Sequence, residues 1–139
     1  MKKWSHIDHT ADICILLTAD SLADLFAVAL QAMNEILYPG FCTETNSSTD
    51  HSELVEIEAI DQTVLLVDFL SEALGLSHEM KMIFCELNIH SLKNNKIKAS
   101  IKGLEADRFM DDIKAVTYHE ADIKKDREGN WTTHIIFDI

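Results

Sequence analysis

The spacing of the apolar residues, which changes between two periods along the chain, is the strongest constraint on its fold. Apolar residues recur at helical spacing after Ser21 and again after Asp61, and each run indicates one amphipathic helix. Elsewhere apolar and polar residues alternate, which is typical of strands with one face in water. Strands grouped around two helices predict an α+β fold, a two-layer sandwich of a mixed, mostly antiparallel sheet with two main helices on one face.

Capping and turn residues indicate where these elements begin and end. The hydroxyl of Ser21 can cap the first helix, and Pro39-Gly40 ends that helix. No linker or repeat divides the chain, so residues 1–139 are expected to form a single domain. The other predicted features are a loop at Thr43–Ser52, strands at 13–17, 53–59, 118–125 and 131–138, a strand on either side of an Asn94-Asn95 turn, and a turn at Glu128–Asn130.

The second predicted helix, from Asp61 or Thr63 to about His78, carries two apolar stripes. The second stripe contains Leu65, Phe69 and Leu76. It packs beside the first helix, or else it is an exposed surface for a partner protein or for another copy in a homo-oligomer. Both alternatives are compatible with the sequence, and packing inside one chain is the simpler.

Charge is distributed unevenly along the chain. The 139 residues include 24 acidic and 12 basic side chains, a net charge of −12, and residues 4–80 contain no Lys or Arg. Direct nucleic-acid binding is not expected, because it depends on clustered basic residues, and an anionic membrane surface is equally disfavoured. An acidic surface suits a basic protein partner.

The three cysteines and the apolar runs bear on the compartment. Cys14, Cys42 and Cys85 are odd in number, and their spacing matches neither a metal site nor a disulfide framework, so free thiols in a reducing compartment are expected. No secretory signal follows Met1, and no apolar run reaches about 18 residues. The sequence therefore predicts a cytoplasmic protein.

Carboxylates occur near both ends of the sequence. Asp8 and Asp12 precede the strand at 13–17, while Asp138 and the terminal carboxylate of Ile139 end the last strand. If the first and last strands are neighbours, Asp12 faces the other two carboxylates, which repel one another unless a cation neutralises them. Because oxygen ligands are hard, the ion would be Ca²⁺, Mg²⁺ or Mn²⁺. Ordinary turn chemistry is the alternative for the N-terminal polar residues.

Histidines support a second interpretation of the same region. His6, His9 and His119, combined with carboxylates, are ligand types found in zinc sites. His9 or His119 can also serve as the base of a metal-dependent hydrolase, which needs a pocket and an open coordination position. Solvated or hydrogen-bonded histidines are the simpler interpretation.

The segment Lys114–His119 places Lys, Tyr and His close together. Such residues can orient a phosphate or act as an acid–base pair. The simpler interpretation is the entry of a strand, in which Val116 and Tyr118 anchor the core and the polar groups are solvated. From the residues alone, the simpler interpretation is favoured.

Taken together, four segments resemble one known family. They are Asp8-His9-Thr10-Ala11-Asp12, Ile113–His119, Phe137-Asp138-Ile139 and Phe69–Leu74, the last with Phe where Trp is usual. These motifs and the order of the helices resemble the archease family over essentially the whole chain.

The resemblance implies a partner protein rather than an enzyme. Archeases are small acidic proteins that promote guanylylation and multiple turnover of an RtcB-type RNA ligase, in tRNA splicing and RNA repair. A chaperone-like role as adaptor for tRNA-modifying enzymes, such as a tRNA methyltransferase, is the alternative that the family also implies.

The resemblance also implies a site. The family binds a divalent cation, usually calcium, through residues that correspond to Asp12, Asp138 and Ile139, and its motif lysine corresponds to Lys114 as a candidate for activation. Whether Asp8, His9 and His119 contribute is open. Residues 104–112 depart from the family pattern, being shorter and more acidic than its usual Pro- and His-containing segment, so contacts through that loop are in doubt.

Overall fold

The alternating segments form two antiparallel sheets, and the two helical runs form the long helices that join them. A computed structural model describes residues 1–8, 12–44 and 51–139, with residues 6–8 described by their backbone alone. The elements are β1 (Lys2–Asp8), β2 (Asp12–Ala19), α1 (Leu22–Leu37), α2 (Phe41–Glu44), β3 (His51–Glu58), α3 (Gln62–Met80), β4 (Met82–Lys93), β5 (Lys96–Glu105), β6 (Ala115–Thr117), β7 (Lys124–Lys125) and β8 (Trp131–Asp138).

The strands divide into a five-stranded and a three-stranded sheet. The five-stranded sheet has the order β1-β2-β8-β6, with β7 also pairing with β8, and the three-stranded sheet has the order β3-β5-β4. Every described pairing is antiparallel. The α+β class and the antiparallel character are confirmed, but the sequence pattern did not separate the strands into two sheets, because that choice depends on long-range packing.

Both long helices contact both sheets. α1 lies against β2 and β4, and α3 lies against β4 and β6. The predicted caps are confirmed, since Ser21 Oγ accepts from the Asp24 N–H at 3.1 Å and Asp61 Oδ1 accepts from the Val64 N–H at 2.8 Å. The helices therefore begin where the sequence predicts.

The second stripe of α3 is buried inside this one chain. Leu65 and Phe69 have no exposed surface, and the Phe69 ring centroid lies 5.6 Å from that of Phe26 on α1. Burial of a side chain of this size contributes about 1.5–3 kcal/mol. Leu65 and Phe69 are thus core and the half-buried Leu76 packs against it, so the alternative of an exposed stripe for a partner or a second copy is wrong.

The predicted strand over 118–125 is wrong for most of its length. β6 ends at Thr117 and β7 covers only two residues, while the chain between them turns. There the backbone N–H groups of Asp122 and Ile123 donate to the hydroxyls of Thr133 and Thr63, at 3.1 and 3.0 Å. These side-chain acceptors replace the strand ladder, which alternation in the sequence cannot reveal.

The expectation of three free thiols is also wrong. Cys42 and Cys85 form a disulfide with Cα atoms 5.5 Å apart, and Cys14 is free and buried. Packing of α1 on β4 closes the gap of 43 residues, and the Asn34 side chain on α1 donates to the Phe84 carbonyl at 2.8 Å. The spacing in sequence therefore did not indicate the pairing.

Two turns predicted from the sequence are present in the structure. Asn94 and Asn95 have φ of 54° and 58°, as a tight hairpin requires, and Gly129 has φ of 83°. Of the loop predicted at Thr43–Ser52, the first two residues end α2 and the last two begin β3, while 45–50 lie outside the described residues. Across the described ranges, no helix is long and apolar enough to cross a membrane.

Candidate metal and activation site

The two candidate carboxylates that the sequence places far apart meet on neighbouring strands. β2 pairs with β8 in a register that sets Asp12 directly opposite Asp138. Residues opposite each other in an antiparallel pair project from the same face, with Cβ atoms about 4.5–5.5 Å apart. The condition on which the carboxylate site rested, that an N-terminal strand neighbours the last strand, is therefore met.

β6 brings the predicted activation residue to the same end of the sheet. Ala115 is the register partner of Asp138 on its other side, and the backbone N–H of Lys114 donates to the Asp138 carbonyl at 2.7 Å. The Lys114 side chain is exposed. One row across the sheet therefore carries Asp12, Asp138 and Ala115, with Lys114 beside it.

The electrostatics of this row are unfavourable for the protein alone. Asp12 and Asp138 are half-buried, and within the described part of the chain neither carboxylate makes an ion pair with Lys, Arg or His. Like charges directly opposite on a sheet are destabilising. A divalent cation would remove that repulsion.

The donor set suits a hard cation. Ca²⁺ and Mg²⁺ prefer oxygen ligands such as the carboxylates of Asp12 and Asp138 and the main-chain oxygen of Ile139. The residue Ile139 is 40% exposed. Among the side chains that the structure describes, those of residues 1–5, 12–44 and 51–139, no group of three or more His, Cys, Asp or Glu is placed to hold a metal. Within that described part, two side chains and main-chain oxygen are the available ligands.

Of the other predicted candidates, His119 is the one whose side chain is described, and it makes no ion pair with Asp12 or Asp138. Asp8 is the last residue of β1 and pairs through its backbone with Ile13, while its side chain and the whole of His9 lie outside the described residues. His119 is exposed, and its Nε2 lies 3.8 Å from Glu120 Oε1. The zinc interpretation therefore gains no support from the part of the chain that is described.

Tyr118 has a partner that the sequence did not indicate. Its hydroxyl donates to the Asp68 carboxylate on α3, and its ring is 56% exposed, so the prediction that Tyr118 anchors the core is wrong. Val116 is buried as predicted. The hydrogen bond to Asp68, with burial second, raises the pKa of Tyr118.

His78 holds the segment that leads into Lys114. Its Nε2 lies 3.0 Å from the carbonyl oxygen of Ile113 and 3.5 Å from Asp112 Oδ1, and its ring meets Phe109 edge-on at 5.4 Å. Ile113 itself is buried. Only the tertiary fold brings these residues together, so spacing in the sequence gave no signal for them.

The divergent segment 104–112 crosses the ends of both long helices. The Ala106 N–H donates to Lys81 O at 2.9 Å after α3, and the Met110 N–H donates to Leu37 O at 2.7 Å at the end of α1. Both carbonyls lie at helix C-termini, where acceptors lack partners within the helix. The segment is therefore anchored to the C-terminal ends of both long helices.

Comparison of the sequence with known families and relatives gives one consistent result. The model of the Archease protein family (MTH1598/TM1083) matches residues 4–139. The chain is 30% identical to Protein archease of Pyrococcus abyssi over 146 residues, with full coverage of both chains. It is 31% identical to Protein archease of Methanosarcina acetivorans, over 99% of this chain and 97% of the relative.

Solved structures share the fold. The solution structure of Methanobacterium thermoautotrophicum protein 1598 matches with a TM-score of 0.76 and 24% identity, over 98% of each chain. A crystal structure of a Thermotoga maritima archease, described as a possible chaperone, matches with a TM-score of 0.58 and 20% identity, over 96% and 94% of the two chains.

Proposed function

The chain belongs to the archease family, and from that membership and the row of residues at the end of the five-stranded sheet we propose that it activates an RtcB-type RNA ligase. In this proposal it is not itself catalytic, and it promotes guanylylation and multiple turnover of the ligase in tRNA splicing and RNA repair. It acts in the cytoplasm on the ligase rather than on RNA directly.

One observation carries the proposal, namely the register that places Asp12 opposite Asp138 with Lys114 hydrogen-bonded beside them. A pair of carboxylates that no described cationic side chain neutralises, next to an exposed lysine, can hold a cation and contact a charged partner at one place. One residue from each of two family motifs, Asp12 near the N-terminus and Lys114 in residues 113–119, thus lies beside Asp138 of the last strand.

Asp12, Asp138 and the main-chain oxygen of Ile139 are the residues that would hold the cation, with Ca²⁺ first and Mg²⁺ or Mn²⁺ as alternatives. When bound, the ion supplies positive charge that neutralises the carboxylates and polarises oxygen ligands. The exposed Lys114 is the activation residue in this proposal, since its side chain is free to reach a partner while its backbone is fixed on Asp138.

The charge of the chain supports a basic protein partner. Residues 4–80 contain no Lys or Arg, and the net charge is −12. Complementary charge accelerates encounter and disfavours wrong partners. An RNA ligase needs a basic surface for its substrate, so the acidic surface of this protein suits such a partner better than it suits RNA.

The test is a multiple-turnover RNA-ligation assay with the cognate RtcB-type ligase, GTP and Mn²⁺, with and without this protein. We expect the wild type to stimulate turnover, and Asp12→Ala and Asp138→Ala to lose most of that stimulation while the fold is kept. Glu56→Ala, which removes an exposed carboxylate from the three-stranded sheet, is the matched control and should stimulate fully.

Two results would change the proposal. Full stimulation by both aspartate variants would keep the partner but refute the metal mechanism. No stimulation by the wild type, together with retention of a tRNA methyltransferase on immobilised protein, would favour the chaperone-like adaptor role instead.

A further inference from the structure

The disulfide Cys42–Cys85 joins α2 to β4, in a part of the fold that the proposed function does not use. Cys42 lies in the four-residue helix α2, and Cys85 lies near the start of β4. Disulfides of proteins from reducing compartments are mostly transient or redox-sensing rather than structural. The contacts around this bond show what its reduction would change.

α2 has few other connections to the rest of the fold. Among the described residues, its backbone N–H groups and that of the preceding glycine bond only to near neighbours in sequence. These bonds run from Phe41 to Tyr38 O at 3.2 Å, from Glu44 to Gly40 O at 2.9 Å, and from Gly40 to Glu35 Oε1 at 3.0 Å. No hydrogen bond in this set reaches β4, so apart from side-chain packing the disulfide is the link between α2 and β4.

The disulfide is accessible from a cavity. Cys42 and Cys85 are half-buried and line a cavity of about 240 Å³ between α1, α2 and β4. Thiol–disulfide exchange requires a thiolate to reach one sulfur, so access to the bond matters. Cys14, in contrast, is buried, and that burial raises the pKa of its thiol, which keeps it unreactive.

A residue that lines this cavity has a buried oxygen with no donor among the described residues. Asn34 lines the cavity and is 4% exposed; its Nδ2 donates to Phe84 O, whereas its buried Oδ1 has no hydrogen-bond partner in the part of the chain that the structure describes. A buried acceptor without a donor is destabilising. The packing of α1 against β4 beside the disulfide is therefore not fully hydrogen-bonded among the described residues.

We propose that Cys42–Cys85 is a reversible redox site at which a dithiol reductant frees α2 from β4. A thiolate of the reductant attacks one sulfur, the Sγ–Sγ bond breaks, and the other cysteine leaves as a thiolate that takes up a proton. The second thiol of the reductant then resolves the mixed disulfide. In balance, the reductant becomes a disulfide, and the protein gains two electrons and two protons as two thiols.

The first test counts thiols by mass spectrometry. Oxidised protein is denatured and alkylated with a maleimide, with and without prior treatment with dithiothreitol. We expect one labelled cysteine, Cys14, without the reductant and three after it. Reoxidation by excess oxidised dithiothreitol should return the count to one. Labelling of Cys42 and Cys85 in the oxidised protein would overturn the proposal.

The second test measures hydrogen exchange of residues 40–44 in both redox states. Exchange there should rise by roughly tenfold or more on reduction, whereas exchange within α3 should stay nearly unchanged. Cys14→Ala should respond like the wild type, and Cys42→Ser/Cys85→Ser should exchange rapidly in both states. Equal exchange of residues 40–44 in the oxidised and reduced wild type would refute release of α2.

Discussion

The strand pairs β2–β8 and β3–β5 both run antiparallel over eight residues without a register shift, yet they arrange charge in opposite ways. In β3–β5, Glu56 faces Lys98 and Glu58 faces Lys96, whose Nζ lies 3.5 Å from the carboxylate. In β2–β8, the charged pair is Asp12 opposite Asp138. The first arrangement is complementary and exposed, whereas the second is repulsive and half-buried.

The difference separates a solvated face from a candidate binding site. Opposite charges across a sheet contribute about 0.2–1 kcal/mol, and like charges directly opposite are destabilising. The Glu–Lys pairs of β3–β5 are therefore favourable without a ligand. The Asp12–Asp138 pair of β2–β8 lowers stability unless a cation binds it. In the proposed function a cation would neutralise this pair, at the strand end where the proposed activation residue Lys114 also lies.

The largest expected effect is cation-linked stability. If Asp12 and Asp138 bind Ca²⁺ only in the folded state, Ca²⁺ at 100 times its dissociation constant should raise the free energy of unfolding by about 2.7 kcal/mol. Urea unfolding followed by circular dichroism, in chelator and in excess Ca²⁺, measures this gain.

Paired variants make that prediction specific. Asp12→Asn/Asp138→Asn should gain nothing from Ca²⁺, because its carboxylates are gone, and Glu56→Gln should gain as much as the wild type. An equal Ca²⁺ gain in both variants would locate cation binding elsewhere in the chain.

A smaller effect of opposite sign is expected without any cation. Asp138→Asn should stabilise the chelator-treated protein by up to about 1 kcal/mol, because it removes like-charge repulsion with Asp12. Glu56→Gln should destabilise it by a similar or smaller amount, because it removes the attraction to Lys98. Urea unfolding in chelator measures the free energy of unfolding of both variants. If both variants changed it in the same direction, the two strand pairs would not differ in charge energetics as described.

The smallest effect concerns the edge of the β2–β8 pair, where Tyr118 ties the end of β6 to Asp68. Its hydrogen bond to Asp68 raises the pKa of Tyr118 above the ordinary value of 10.0. The folded state therefore holds the phenolic proton more tightly, so this contribution is present below about pH 10 and is lost as pH rises through the raised pKa.

Tyr118→Phe lacks that titration, so wild type should lose more stability than the variant between pH 8 and pH 11, a range about the ordinary tyrosine pKa. The comparison uses urea unfolding at both pH values. An identical pH dependence in the two proteins would show that the Tyr118–Asp68 contact contributes nothing.

Local patterns predicted much of the fold. The helix caps at Ser21 and Asp61 and the turn at Asn94-Asn95 are set by short-range hydrogen bonds and backbone conformation, which neighbouring residues determine. The division into two sheets and the Cys42–Cys85 disulfide depend on how α1 packs against β4. Such contacts join residues far apart in sequence and leave no periodic trace.

The candidate site was likewise predicted only in part from the sequence. The residue types and the family motifs pointed to Asp12, Asp138, Ile139 and Lys114, and the pairing of β2 with β8 brings the two aspartates together. The sequence did not indicate that Asp68 would bind Tyr118 or that His78 would hold Ile113. Both partners come from α3, whose position against β6 is decided by tertiary packing.

The most direct test of the carboxylate site is a calorimetric titration of Ca²⁺ into chelator-treated protein. The account predicts binding of one ion per chain by the wild type and by Glu56→Gln, and no measurable binding by Asp12→Asn/Asp138→Asn. Ca²⁺ binding by that double variant with unchanged affinity, or none by the wild type, would contradict it.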